Sequence, residues 1–400
     1  MSLNKQKMKK NFSTVFAFTA SALLLVACSD NDDNSTNPEI TSKAAVIENY
    51  SNLVYENYQD ALNDAIELQT AINTFTANPT QENFDEAKVE WKKSRESYGT
   101  TEAFRFANGP IDDENGPEGL LNAWPLDENF IDYVKDNGSV INGGIINSTT
   151  EYPEITKAVL EGLNENGGEK NISVGYHAIE FLLWGQDLTN PSELLPGQRL
   201  YTDFADGGTA LNQDRRRAYL DICAELIIDN LTYLSNLWAP DGSYRSTFLA
   251  LDENVALQNM YLGITTLVLA ELPVERMSVA LSNADQEDEH SCFSDNTHRD
   301  IILNLQGVIN VYNGTYGDVN GASLADLVEE ANAAFYASTA TSINDAETKV
   351  DAIYVPFDFA ISGGEDSVEG QKVKAAVDAL MELGANLLAG ASAIGVTVNG

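Results

Sequence analysis

The segment richest in chemistry is Gly175-Tyr176-His177-Ala178-Ile179-Glu180-Phe181-Leu182-Leu183-Trp184. It sets a histidine and a carboxylate three residues apart, a spacing that puts both on one face of a helix. Ile179, Leu182 and Leu183 cover one side, and Tyr176, Phe181 and Trp184 flank the polar pair. A helix apolar nearly all round is a buried helix, and a buried carboxylate is costly without a partner. Three partners suit Glu180: a metal ion with His177 as co-ligand, an arginine, or a proton shared with the imidazole. The last of these is a core His–Glu hydrogen bond with no function of its own. Because the chain has only 3 histidines, and His290 and His298 crowd into one polar stretch, the segment reads as a site.

Other polar groups are candidates to face the same cleft. Glu102 and Arg105 share a helix face, and Gly109-Pro110-Ile111-Asp112 follows where the chain turns. Glu271 and Glu275 are i,i+4 neighbours, with Arg276 beside them; two like charges at that spacing repel on a bare surface. The stretch Asp285–Asp300 opens as a solvated acidic loop and then crowds Ser291, Cys292, Asp295 and His298 together. Trp124-Pro125-Leu126-Asp127 and Pro196–Phe204 read as packed loops. A zinc peptidase of the His-Glu-x-x-His type is excluded, since Ala178 follows His177 and no second histidine stands four residues on. Phosphate loops, the dinucleotide-binding fingerprint and the nucleophile elbow are absent as well. A mostly oxygen site with one imidazole suits iron, manganese, calcium or zinc.

The elements that must carry these groups are helices. Apolar residues recur at helical spacing over 43–77, where Asn78-Pro79 stops the run, and Thr80 is placed to cap a helix from Gln81 to Phe106. Residues 120–150 look irregular, with a short helix near Glu128–Lys135. Helical patterns resume at 153–164 and 172–185, and Pro191–Gly208 reads as a loop. Leu211–Trp238 and Asp252–Leu281 are long helices, the second kinked by Pro273, which removes the hydrogen bond to Leu269. Further helices are expected over 297–312, 322–337, 342–353 and 368–392. The fold class is all-α, two helical-bundle halves (43–205 and 206–400) packed together with a site between them.

Residues 1–27 read as a secretory signal. Lys5, Lys7, Lys9 and Lys10 precede the apolar run Phe16–Ala27, and Leu25-Val26-Ala27-Cys28 resembles the bacterial lipobox. That resemblance implies cleavage before Cys28 and lipidation of this cysteine. Residues 28–42 form a flexible acidic tether. The chain would sit in the bacterial envelope, anchored to the outer membrane on its periplasmic face or at the cell surface. No later segment is expected to cross a membrane. The formal charge of -38 repels nucleic acid and anionic lipid, so neither headgroups nor nucleic acid are expected partners. Cys223 and Cys292 either pair or stay as buried thiols.

In order and combination, several of these segments resemble the imelysin family: the G-x-H-x-x-E run, Glu102–Phe106 with Gly109–Asp112, the Trp124–Asp127 loop, Leu272–Met277 and Asp285–Asp300. The resemblance covers most of the chain from about residue 43 onward. It implies an all-helical envelope protein linked to iron uptake, with an uptake receptor or transporter as partner. The family's His and Glu fall on His177 and Glu180, and a looser analogy with metal-binding relatives adds Glu102, Asp112 and Glu275 as ligands for a divalent or iron ion. Two other readings accompany it. One is a metallopeptidase using the His-x-x-Glu pair. The other is a metal-free receptor or scaffold for a peptide, glycan or haem, with Glu180 paired to Arg105.

Overall fold

The computed structural model describes residues 41–398, which lie in one compact unit. Helix α1 (Lys43–Ala77) starts where the Ser42 hydroxyl accepts from the Ala45 N–H. Helix α2 (Gln81–Thr101) starts at Thr80, whose hydroxyl accepts from the Asn83 N–H, as the capping rule predicts. Its α-helical course ends at Thr101, and a tighter turn over Glu102–Phe104 carries it to within two residues of the expected end at Phe106.

The helices pack in two groups. The helix Gln213–Trp238 lies along α1, so the first group draws on both sides of position 205. The helices Glu253–Asn283, Thr297–Asn313, Ala333–Asp351 and Val368–Ala393 form the second, and Thr297–Asn313 also runs along α2. Between 322 and 353 the break falls at Asn332, whose side chain caps Ala333–Asp351, earlier than the pattern suggests. The strand pairs Val134–Asp136 with Ser139–Ile141, and Thr315–Tyr316 with Val319–Asn320, are short antiparallel hairpins on this helical frame.

Where the groups meet, glycine permits close approach. A Cβ on Gly263 would stand 2.5 Å from the Ala103 carbonyl oxygen, and one on Gly307 2.4 Å from that of Thr100. Two helices of the second group therefore press directly on the backbone at the end of α2, where Glu102 sits.

The helix containing Pro273 differs from expectation at the proline and in the placing of Glu275. By length and composition Glu253–Asn283 is apolar enough to cross a membrane, but Leu257, Ile264, Leu267, Val268 and Leu272 are buried inside the bundle. Around Pro273 the helix widens into a π-helix over Leu267–Ser278. The missing N–H and the ring of Pro273 disfavour α-helical pairing, and a π turn is a recognised accommodation of such a disruption. The widened turn brings residues five apart together: Arg276 donates to Glu271 Oε1 from Nε (3.3 Å) and a terminal nitrogen (3.1 Å). Glu275, expected beside Glu271, is exposed instead.

Candidate metal centre and its cleft

The helix Tyr176–Trp184 is buried along its whole length. Gly175 starts it at φ 93°, and a Cβ there would stand 2.7 Å from the Leu121 carbonyl oxygen. Both constraints select glycine. Trp91 Nε1 donates to the Tyr176 carbonyl (3.0 Å), and the Tyr176 hydroxyl meets Ser94 Oγ at 2.9 Å. The motif helix is thus tied to α2 at the turn that carries His177.

His177 Nδ1 and Glu180 Oε2 are 2.9 Å apart, with both side chains fully buried. The second oxygen of Glu180 accepts from the Ser294 N–H (3.0 Å) and hydroxyl (2.7 Å). Burial pushes the Glu180 carboxyl up to about 8, against the opposing hydrogen bond from Ser294. With Glu180 ionised, His177 donates from Nδ1, and its Nε2 carries a lone pair. That Nε2 is buried and has no hydrogen-bond partner.

A second imidazole stands against the first. The His177 and His290 ring centroids are 4.6 Å apart at 81°, and Trp124 packs on His177 at 5.0 Å. His290 repeats the local design: its Nδ1 lies 2.8 Å from Asp300 Oδ2, which also accepts from the Ser291 hydroxyl at 2.5 Å. Burial holds both imidazoles well below the usual histidine range, with Arg95 adding to the effect on His177 and Arg276 on His290. Burial alone would raise the Asp300 carboxyl, but Arg95 and His290 hold it well below its ordinary value.

From Asp300 a buried polar chain runs outward. Arg95 donates to Asp300 (3.0 Å) and to Asn122 Oδ1 (2.6 Å); Asn122 donates to Glu102 Oε1 (3.2 Å). Arg276 donates to Glu102 Oε2 (2.6 Å) and to Asn304 (2.7 Å). Burial would raise the Glu102 carboxyl, yet Arg276 and Arg105 keep it below the ordinary range. Arg105 then lies 3.1 Å from Glu271 and 3.4 Å from Glu118.

The chain ends on a cavity of about 670 Å³ that His290, Trp124, Arg105 and Arg276 help to line. Eight of its 18 lining residues are Asp or Glu and three are Lys or Arg, so the cleft favours cations. Burial pushes Glu118 on its wall up to about 7, opposed by Arg105.

The structure distributes the candidates from sequence unevenly. His177 and Glu180 meet, but both oxygens of Glu180 are engaged, which places it behind the imidazole as an orienting group. Glu102 is held by Arg276 and Asn122, so its oxygens do not turn to His177. Asp112 is exposed, while Glu275 is exposed on the cleft wall. The five proposed ligands do not gather: among the described residues, the one cluster of three or more close ligand atoms belongs to other residues. Arg105 pairs with Glu271 and Glu118, not with Glu180. Ser291 supports Asp300, and Asp295 turns toward Asp187 and Asp358. His298 lies with Ile301, Ile302 and Val350 in a separate small pocket. Cys223 and Cys292 are buried free thiols, and Cys28 lies outside the described residues. His290, Asp300, Arg95 and Asn122 were not among the candidate ligands and cleft residues read from sequence. For His290 the signal was present, since it shares the crowded segment with Ser291 and Asp295.

With this geometry in hand, comparison with known proteins decides the family. The imelysin family model matches residues 54–387. The chain belongs to the imelysin family. Iron-regulated protein A of Synechococcus elongatus is 25% identical over 279 residues, covering 70% of this chain and 66% of that protein. The imelysin chain described here thus spans just under two thirds of that relative's length. A solved structure from Parabacteroides distasonis, described as a candidate iron-regulated protein A precursor, superposes with a TM-score of 0.67 at 18% identity, over 90% of this chain and 97% of that one. An imelysin-like protein from Psychrobacter arcticum gives a TM-score of 0.61 at 11% identity, over 90% and 100% of the two chains. Both likenesses establish the imelysin helical fold.

Proposed function

We propose that this imelysin binds a transition-metal ion, iron foremost, through His177 and His290 at the head of its acidic cleft. The observation that carries the reading is the orphaned Nε2 of His177, buried beside a second imidazole whose Nδ1 is likewise held by a carboxylate. A metal-ligating histidine characteristically gives its other ring nitrogen to such a carboxylate, which fixes the tautomer and raises basicity. Neutral imidazoles suit iron, zinc and copper. The carboxylates of the cleft, Glu275 among them, would concentrate cations at its mouth. The names of the relatives, iron-regulated protein A and its precursor, support a role in iron supply. The lysines, apolar run and lipobox-like Leu25–Cys28 support an envelope lipoprotein anchored through Cys28, working with an uptake receptor or transporter.

Isothermal titration of the purified protein with Fe²⁺, Fe³⁺, Zn²⁺ and Ca²⁺ tests this. Micromolar or tighter binding of a transition metal, abolished in both His177→Ala and His290→Ala, is the expected result. Flat titrations for the transition metals in the wild type would defeat it.

A hydrolytic reading of the same centre is favoured by one observation: Glu118, with its raised carboxyl, lines the cleft that His290 enters. A group titrating near 7 suits proton transfer. Metal-dependent cleavage of an unstructured protein, lost in both His177→Ala and Glu118→Gln, would support this reading; unchanged cleavage in either would dismiss it.

A further inference from the structure

The buried carboxylates of this protein fall into two kinds. Asp132 meets Arg199 at 2.6 Å and Arg216 at 2.7 Å, Asp300 meets Arg95 at 3.0 Å, and Glu102 meets Arg276 at 2.6 Å. Asp187, Asp295 and Asp358 are buried to 2%, 7% and 2% exposure, yet among the described residues none of them forms an ion pair with Lys or Arg. One oxygen from each lies within 4.8 Å of the others. Lys92 acts on Asp295 electrostatically, but its Nζ donates to the Ser294 carbonyl at 3.1 Å.

The oxygens of this cluster are also short of donors. Both of Asp358 and one of Asp295 are buried with no hydrogen-bond partner. So are both oxygens of Glu289, a side chain 1% exposed whose carboxyl is raised by burial first and by the Asp358 charge next. Asp187 alone is held, accepting from the Thr189 N–H (3.0 Å) and hydroxyl (2.9 Å) and from Gln286 at 3.2 Å. Converging buried carboxylates without counter-charge are expensive, and three unpartnered oxygens on two of the three converging aspartates call for a cation.

We propose that Asp187, Asp295 and Asp358 hold a hard divalent cation of the calcium class, at a site separate from the paired histidines. The donors are all oxygen, with neither imidazole nor thiolate, which suits calcium, magnesium or manganese. Backbone carbonyls and water would complete the six to eight ligands typical of calcium. The ion ties together three distant segments: the loop after the motif helix, the loop before Thr297–Asn313, and the short helix Phe357–Ile361. The middle loop also carries His290 and Ser294, so the cation stiffens the support of both histidine–carboxylate pairs.

Thermal melting of the purified protein, stripped with chelator and then titrated with Ca²⁺, tests the site. The expected result is a midpoint several degrees higher with Ca²⁺, a response lost in Asp358→Asn and Asp295→Asn and kept in His177→Ala. Far-UV circular dichroism confirms that each variant is folded, and retained transition-metal binding in Asp358→Asn keeps this site distinct from the histidine centre. A wild-type midpoint indifferent to Ca²⁺, Mg²⁺ and Mn²⁺ would overturn the proposal, as would a full Ca²⁺ response in both aspartate variants. A midpoint that instead climbs steadily on acidification, with no cation response, would assign the cluster to shared protons.

Discussion

His177 and His290 meet edge to face, their ring centroids 4.6 Å apart, and each is held at Nδ1 by its own carboxylate. The carboxylates come from different directions. Glu180 is one helical turn from His177, whereas Asp300 is reached from the start of the helix Thr297–Asn313. The two imidazoles therefore form one centre only when both helical groups are assembled.

In the proposed centre Glu180 would act on a metal through His177. Glu180→Gln should weaken transition-metal binding by about 10–100-fold, the usual effect of losing an orienting carboxylate. His177→Ala should remove binding altogether. Isothermal titration of the two variants side by side separates orientation from ligation. Equal losses would mean that Glu180 is itself a ligand.

Asp132 is a structural counterpart to the site, paired with Arg199 and Arg216. Burial would raise its carboxyl, but Arg199 and Arg216 hold it down to about 2. Its folded value lies below its unfolded one, so its stabilisation is complete above about pH 4 and is lost as pH falls through about 2. That contribution is about 2 kcal/mol at neutral pH. Asp132→Asn strands two buried guanidiniums and should cost about 3–5 kcal/mol. Urea unfolding of both proteins from neutral pH down to pH about 2 should show the variant less stable and its acid slope flatter.

Gly175→Ala should destabilise the fold by about 1–3 kcal/mol, because the residue holds φ 93° and its Cβ would meet the Leu121 carbonyl at 2.7 Å. The first turn of the motif helix must shift to relieve that contact. Metal affinity should therefore fall along with the melting midpoint. A variant with native stability and native affinity would show that the turn accommodates the methyl group.

Neighbouring residues on the π-helical segment should behave in opposite ways. Arg276→Met leaves Glu102 buried and unpaired, at a cost of about 3–5 kcal/mol. Glu275→Gln changes an exposed group and should move stability by less than about 0.5 kcal/mol, while slowing metal capture at low salt. Stopped-flow binding at two ionic strengths, together with chemical denaturation, reads both effects.

Much of this molecule is local in origin and was legible early. The cap at Thr80, the stop at Asn78-Pro79 and the helical periods of the long elements depend on residues a few positions apart. The same holds for the buried face of Tyr176–Trp184. The G-x-H-x-x-E run and the ordered motifs around it also pointed to the imelysin family, which the family match bears out. The ligand assignment was harder to read. Helical spacing puts Glu180 beside His177, but it says nothing of Ser294, which arrives from 114 residues away to occupy the other oxygen. His290 was visible in its crowded segment without any sign that its ring would face His177.

The amino-acid sequence by itself determined an all-helical chain with a buried His–Glu pair, because burial and period are properties of consecutive residues. Only the tertiary structure decided what each charged group meets. The π turn at Pro273 gave Arg276 to Glu271 and Glu102 and turned Glu275 outward. Folding placed Asp295 with Asp187 and Asp358, with no guanidinium among them. Such pairings join segments distant in the chain, and their energies exist only after water has been excluded between them.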